Sequence, residues 1–135
     1  MTTAPLTAME FATVARMLGA EARRLGFDVP TFRTPVRSPH VRSVRPSPTG
    51  RGWVLAVRYR DRYPCHVIGD LVDGIAHVYT MTHMGPAPWA MVAALTGYAI
   101  ELLDSGDYQI TATTKERRVG RGATLHLVRT PVAEQ

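Results

Sequence analysis

Cysteine and lysine are almost missing from this sequence of 135 residues, since each occurs once, as Cys65 and Lys115. A single cysteine excludes an internal disulfide framework and is typical of a reducing compartment. The first thirty residues lack the unbroken apolar core of a signal peptide. The longest uncharged apolar stretch, residues 86–100, is too short to cross the roughly 30 Å core of a bilayer as a helix. The sequence therefore predicts a cytoplasmic protein without a membrane segment.

Charges of one sign are absent from long stretches of the chain. Residues 33–52 hold five arginines and four prolines but no acid, whereas residues 63–114 hold five acids but no arginine or lysine. Residues 115–129 are basic again. The net charge is +5 and the pI is about 10.0. This polarised distribution is typical of a protein that turns one side toward an anionic partner.

Catalytic signatures are also absent. The chain has no nucleophile elbow, phosphate-binding loop or dinucleotide fingerprint. Cys65 precedes His66, but neighbours on a strand point to opposite faces, so we expect a half-buried, unreactive thiol. If residues 63–72 form a strand, His66 lies roughly 13 Å from Asp70, too far to share a metal. We therefore expect no enzymatic activity, no cofactor and no metal site, and a structural Asp70–His77 pair across a hairpin.

The first element that the sequence predicts is an amphipathic helix. Thr7 and Glu10 have the spacing of a capping box, and Leu6 and Phe11 occupy the positions of a hydrophobic staple across that cap. Apolar residues then recur at helical spacing, and Gly26 is a typical C-terminal stop. This helix should pack by one face.

A proline- and arginine-rich extended segment over residues 30–52 follows, in which residues 41–45 fit a short edge strand. Alternating apolar residues then predict an antiparallel β-meander, with the Asp73-Gly74 pair as a hairpin turn. The strands of this meander are predicted over residues 53–60, 63–72 and 75–82.

Residues 86–106 predict a second helix, apolar on nearly every side, with Pro88 in its first turn and Gly106 as its stop. A helix of this kind is normally buried all round. Residues 108–130 predict a C-terminal β-hairpin around the basic loop KERRVGRG. The whole chain, residues 1–135, is predicted to be a single α+β domain with its helices on one face of an antiparallel sheet.

Three arginine clusters favour nucleic-acid binding as the function. In RYRDRY, residues 58–63, arginines alternate with tyrosines, a mixture suited to phosphate pairing and base stacking. The extended segment would form a stiff cationic arm, and KERRVGRG a hairpin tip able to enter a groove. We therefore predict a non-enzymatic protein that binds DNA or RNA. The arginines predicted to contact phosphates are Arg37, Arg42, Arg45, Arg51, Arg58, Arg60, Arg117, Arg118 and Arg121.

A second interpretation is a small dimeric interaction module, or a chaperone-like adaptor, whose arginines dock an acidic protein surface. The apolar second helix favours it, because a large apolar surface left in water is a liability. The face of the predicted sheet that points away from the helices also favours it, because apolar residues lie there among polar ones: Val54, Ala56, Val67 and Val78. The sequence thus predicts a homodimer, with three interface or buried-layer residues: Met91, Leu95 and Tyr98.

Overall fold

The computed structural model of the protein describes residues 4–34 and 40–105. These residues form an α+β fold of three helices and a three-stranded mixed sheet, so the predicted class is confirmed. The predicted C-terminal hairpin lies outside the described residues. The elements are, in chain order, α1 (Ala8–Leu25), β1 (Thr31–Arg33), β2 (Arg42–Pro46), β3 (Trp53–Val57), α2 (Pro64–His83) and α3 (Trp89–Ser105).

Helix α1 begins and ends at the predicted signals. The Glu10 backbone N–H donates to the Thr7 hydroxyl at 3.1 Å, and the Thr7 backbone N–H donates to the Glu10 carboxylate at 2.9 Å. This reciprocal arrangement confirms the capping box. Leu6 and Phe11, the predicted staple, are both buried. Gly26 ends the helix in the left-handed region at φ 106°, a conformation that glycine adopts without steric cost.

The sheet has the strand order β1-β3-β2, and its edge strand β2 confirms the strand predicted at residues 41–45. Strand β2 is antiparallel to β3, but β1 is parallel to β3. The prediction of a purely antiparallel sheet was therefore wrong. Along the chain, β1 and β2 come before β3, which lies between them in the described sheet. A tight turn at residues 47–52 connects β2 to β3, and Gly50 and Gly52 take φ angles of 81° and 75° there.

One face of the sheet is buried against helices. Leu55 and Val57 of β3 are fully buried, whereas Val54 and Ala56, which alternate with them, are only half-buried. Phe32 of β1 lies on the same face as Leu55, because strand partners point to the same side. Its ring packs beside α1, where an added Cβ at Gly19 would lie 3.2 Å from the ring edge. The hydrophobic core lies between this face and the helices.

The second and third strands of the predicted meander do not exist, because residues 64–83 form the single helix α2. Pro64 occupies its first turn, where a missing N–H costs nothing. The Asp73-Gly74 pair lies inside the helix and forms no turn. Gly74 is needed there because α2 crosses β3, and a Cβ at Gly74 would lie 2.3 Å from a methyl carbon of Leu55.

Three smaller predictions were wrong for the same reason. Asp70 and His77 lie two helical turns apart and do not form a cross-strand pair; Asp70 bonds to arginines instead, and His77 is exposed. Cys65 is exposed in the first turn of α2, not half-buried. Val67 and Val78 are buried core residues of α2 and so belong to no sheet face.

Helix α3 confirms the predicted second helix, although it is not buried on every side. It packs on α1 and α2 through the buried residues Leu95, Ala99 and Leu102. Trp89 and Ile100 of α3 are 79% and 52% exposed. Within the described part of the chain, α3 is therefore an outer layer with one open apolar side.

Candidate anion-binding surface and adjacent groove

Five of the nine arginines predicted to contact phosphates fall within the described residues, and they occupy different surroundings. Arg51 is exposed in the turn between β2 and β3, and Arg60 is exposed in the connection between β3 and α2. The remaining three belong to the two arrangements described next. Arg37, Arg117, Arg118 and Arg121 lie outside the described residues.

Arg42 takes part in an ion-pair cluster with carboxylates of the same chain. It points from β2 toward α2, where it bonds to Asp70 at 3.1 Å and to Asp73 at 3.2 Å. Arg62 donates to the other oxygen of Asp70 at 2.6 Å and to the Arg58 carbonyl at 2.6 Å. The Arg62 and Asp70 side chains are only 15% and 16% exposed. This cluster ties the edge strand and the connection after β3 to α2, so Arg42 serves the fold.

The opposite face of the sheet brings together one arginine from β1, one from β2 and one that directly follows β3. Arg33 of β1 is the partner of Ala56, and Arg45 of β2 is the partner of Val54. Arg58 follows two residues after Ala56 on the same side and extends the ladder, since its N–H donates to the Val41 carbonyl at 2.9 Å. We call this surface the arginine face. It consists of Arg33, Arg45 and Arg58 with Thr31, Val41, Ser43, Val54 and Ala56.

The arginine face contains no acidic side chain. Arg33 and Arg45 are exposed, and Arg58 is half-buried. No carboxylate within residues 4–34 and 40–105 forms an ion pair with Arg33 or Arg45. Arg33 was not among the predicted contacts, although it is the first arginine of the proline–arginine segment. No aromatic ring of the described part of the chain lies on this face, so it offers charge without a stacking surface.

The tyrosines of RYRDRY are separated by the fold. Tyr59 is buried and stacks on Phe11 of α1, with ring centroids 4.9 Å apart. Tyr63 is 57% exposed at the N-terminus of α2, where it meets the edge of the His66 ring. Because Arg62 also bonds internally, these residues do not form the alternating binding strip suggested by the sequence.

A groove of about 760 Å³ lies beside the arginine face, between α1 and β1. Its apolar lining includes Phe11, Val29, Phe32 and Tyr59, and small residues of α1 form one wall. Arg16, Arg23 and Arg33 are the charged residues that line it. We call it the α1–β1 groove.

The arginines of the α1–β1 groove have no carboxylate partner among the described residues. Arg24, one position further along α1, provides the contrast: it bonds to Glu21, and this hydrogen bond raises the pKa of Arg24. Sequence reasoning missed Arg16 and Arg23, although their seven-residue spacing places them on the same side of a helix.

The predicted interface residues lie mainly against the chain's own core. Leu95 is fully buried, and Met91 and Tyr98 are half-buried against the core. Larger apolar exposure occurs where α2 ends and α3 begins. Met81, Met84 and Trp89 are 46%, 90% and 79% exposed there. We call these three residues the Met–Trp corner.

Comparisons with protein-family models, curated proteins and solved structures found no match. None of the helices in the described ranges has the length and apolar character needed to cross a membrane. The arginine face, the α1–β1 groove and the Met–Trp corner are therefore the features on which a function can be based.

Proposed function

We propose that this protein is a non-enzymatic nucleic-acid-binding protein whose arginine face contacts backbone phosphates. One observation carries the proposal: Arg33 of β1, Arg45 of β2 and Arg58, which directly follows β3, lie on one sheet face that carries no acidic side chain from residues 4–34 and 40–105. Neighbouring strands lie about 4.8 Å apart, and residues two positions apart on a strand are separated by about 6.6 Å. Arg33, Arg45 and Arg58 therefore spread positive charge over a surface that can meet several phosphates of one strand.

The composition of the arginine face favours binding without sequence preference. Arginine contacts to phosphates position a nucleic acid but do not read its bases. Base stacking needs aromatic side chains, which this face lacks. We therefore expect similar affinity for different sequences and a steep dependence of that affinity on salt concentration.

A salt titration with single-arginine variants tests the proposal. Arg45→Gln should make the slope of log K against log salt shallower by about 0.9 on duplex DNA, or about 0.7 on a single strand. The matched control is Arg24→Gln, which removes the same charge from α1 at a residue already paired with Glu21. The control should leave the slope unchanged.

Two outcomes contradict the proposal. One is that the wild-type protein binds neither DNA nor RNA at low salt. The other is that Arg45→Gln and Arg24→Gln weaken binding equally, which would show that net charge, and not the arginine face, governs the affinity.

A second candidate function is a dimeric interaction module, and the Met–Trp corner favours it. Three large apolar side chains at one end of the helical layer are a surface that a second copy of the chain can cover. In this alternative the arginine face meets an acidic protein surface, and binding to nucleic acid is absent.

A further inference from the structure

The α1–β1 groove follows the edge of the sheet. Strand β1 pairs with β3 on one side, and no described strand pairs with its other side. Phe32 packs beside Gly19 in the second half of α1, whereas Tyr59, just beyond β3, stacks on Phe11 in the first half. Because β1 is parallel to β3 and Phe32 pairs with Leu55, Tyr59 lies further along the direction of β1 than Phe32 does. Helix α1 therefore runs alongside β1 in the opposite direction.

The length of the groove matches an extended chain. Its lining on α1 runs from Ala8 to Arg23, which is about 22 Å at 1.5 Å per residue. That distance corresponds to about six or seven residues of a β-strand. The edge of β1 that no described strand pairs with lies along the same path, so its backbone groups can bond to an extended segment as an added strand.

The two sides of such an added strand would meet different surroundings. Side chains on the helix side would enter the groove above Phe11 and Phe32, which is an apolar environment. Side chains on the other side would lie next to Arg33 on the arginine face. Arg16 and Arg23 line the groove from α1, and their long side chains place further positive charge along the path of the segment. No acid from residues 4–34 and 40–105 lines the groove.

We propose that the α1–β1 groove binds an extended segment of a partner protein in which acidic and apolar side chains alternate, added as a fourth strand beside β1. Main-chain hydrogen bonds to the β1 edge supply affinity, and the alternation of side chains supplies specificity. This site shares Arg33 with the arginine face but does not include the phosphate contact at Arg45, which lies on the far strand β2.

The first measurement uses a synthetic heptapeptide of alternating glutamate and valine. Fluorescence anisotropy should show binding of this peptide, and a peptide with lysine in place of glutamate should not bind. NMR resonances of Ala12, Gly19 and Phe32 should shift on titration. The same peptide with N-methylated backbone amides should bind more weakly, because strand addition requires those donors.

Two pairs of variants locate the binding site. Joint replacement of Arg16 and Arg23 by alanine should weaken binding of the acidic peptide at least about tenfold, since the proposed charge-assisted contacts to its glutamates would be lost. Arg24→Ala, on the same helix but paired with Glu21, should not weaken it. Ala12→Leu fills the groove and should block binding, whereas Ala94→Leu on α3 should not. Both alanines are exposed, so neither change disturbs the core.

The results separate this proposal from the proposed function. Arg45→Gln should reduce nucleic-acid binding and leave peptide binding unchanged, and the Arg16/Arg23 variant should retain the salt slope attributed to Arg45. The peptide proposal is overturned if the glutamate and lysine peptides bind equally or not at all. It is also overturned if Ala12→Leu and Ala94→Leu behave alike, or if a short single-stranded oligonucleotide, and not the peptide, shifts the groove resonances.

Discussion

Gly74 of α2 lies directly against Leu55 of β3, with no space for a methyl group between them. A Cβ at Gly74 would lie 2.3 Å and 2.6 Å from the two terminal carbons of the Leu55 side chain. Leu55 is fully buried in the central strand, so it has little freedom to move away. This contact fixes how closely α2 approaches the sheet.

Gly74→Ala should therefore destabilise the protein, by about 1–3 kcal/mol as for other overpacked core sites. The control is Gly97→Ala in α3, where no described atom beyond the adjoining helix backbone lies within 4 Å of the added Cβ. Alanine at position 97 should stabilise the helix by up to about 1 kcal/mol. Urea unfolding measures both changes. A Gly74→Ala protein as stable as the wild type would contradict the close contact.

Asp70→Asn should lower the free energy of unfolding by about 1–3 kcal/mol, because its carboxylate accepts charge-assisted hydrogen bonds from Arg42 and Arg62. Asp73→Asn is the matched control. Its side chain is 69% exposed and pairs with Arg42 alone, so the expected loss is below about 1 kcal/mol. Equal losses in urea unfolding would show that Asp70 does not hold the cluster together.

Thr7→Ala should cost about 1 kcal/mol of stability, since it removes the hydroxyl that caps α1. Thr7→Ser retains that hydroxyl and should recover most of the loss. Thr96→Ala, at an exposed position within α3, controls for the change of residue type. Thermal unfolding of the three variants provides the measurement, and a Thr7→Ser variant no better than Thr7→Ala would argue against the cap.

Light scattering tests the predicted homodimer. We expect a mass twice the 14.9 kDa of the single chain, and a return to the single-chain mass when Met84 and Trp89 are both replaced by serine. Val41→Ser removes an exposed apolar side chain from the sheet and should leave the dimer intact. A wild-type protein that stays at 14.9 kDa at high concentration rules the dimer out.

Helix α1 could be predicted from the sequence, because its signals are local. Its cap, its staple and its stop all lie within or next to the helix itself. Helix α2 was missed because its valines and isoleucines also fit strands, and Asp73-Gly74 is a common hairpin pair. Its buried residues nevertheless recur at helical spacing: Val67, Ile68, Leu71, Val72, Ile75 and Val78. Gly74 is required by its contact with Leu55 of β3, nineteen residues earlier in the chain, and no local sequence pattern reveals that contact.

The candidate sites depended on contacts between distant parts of the chain. The positive charge of residues 33–52 was evident from composition, but Arg42 finds its partner Asp70 28 residues away. Arg33 became part of the arginine face only because β1 pairs in parallel with β3, a pairing that the predicted meander excluded. The α1–β1 groove likewise results from packing between two elements that the sequence treated separately.

Within the described part of the chain β3 is the last strand, and this position has a consequence during synthesis. Strands β1 and β2 each pair with β3 and not with each other, so a nascent chain that ends before Trp53 contains two strands without a partner. Unpaired strands are prone to aggregate. The prolines and arginines of residues 33–52 oppose such association, because proline removes pairing donors and like charges repel. The same composition that gives the finished protein its basic surface thus also opposes association of the unfinished sheet before β3 is added.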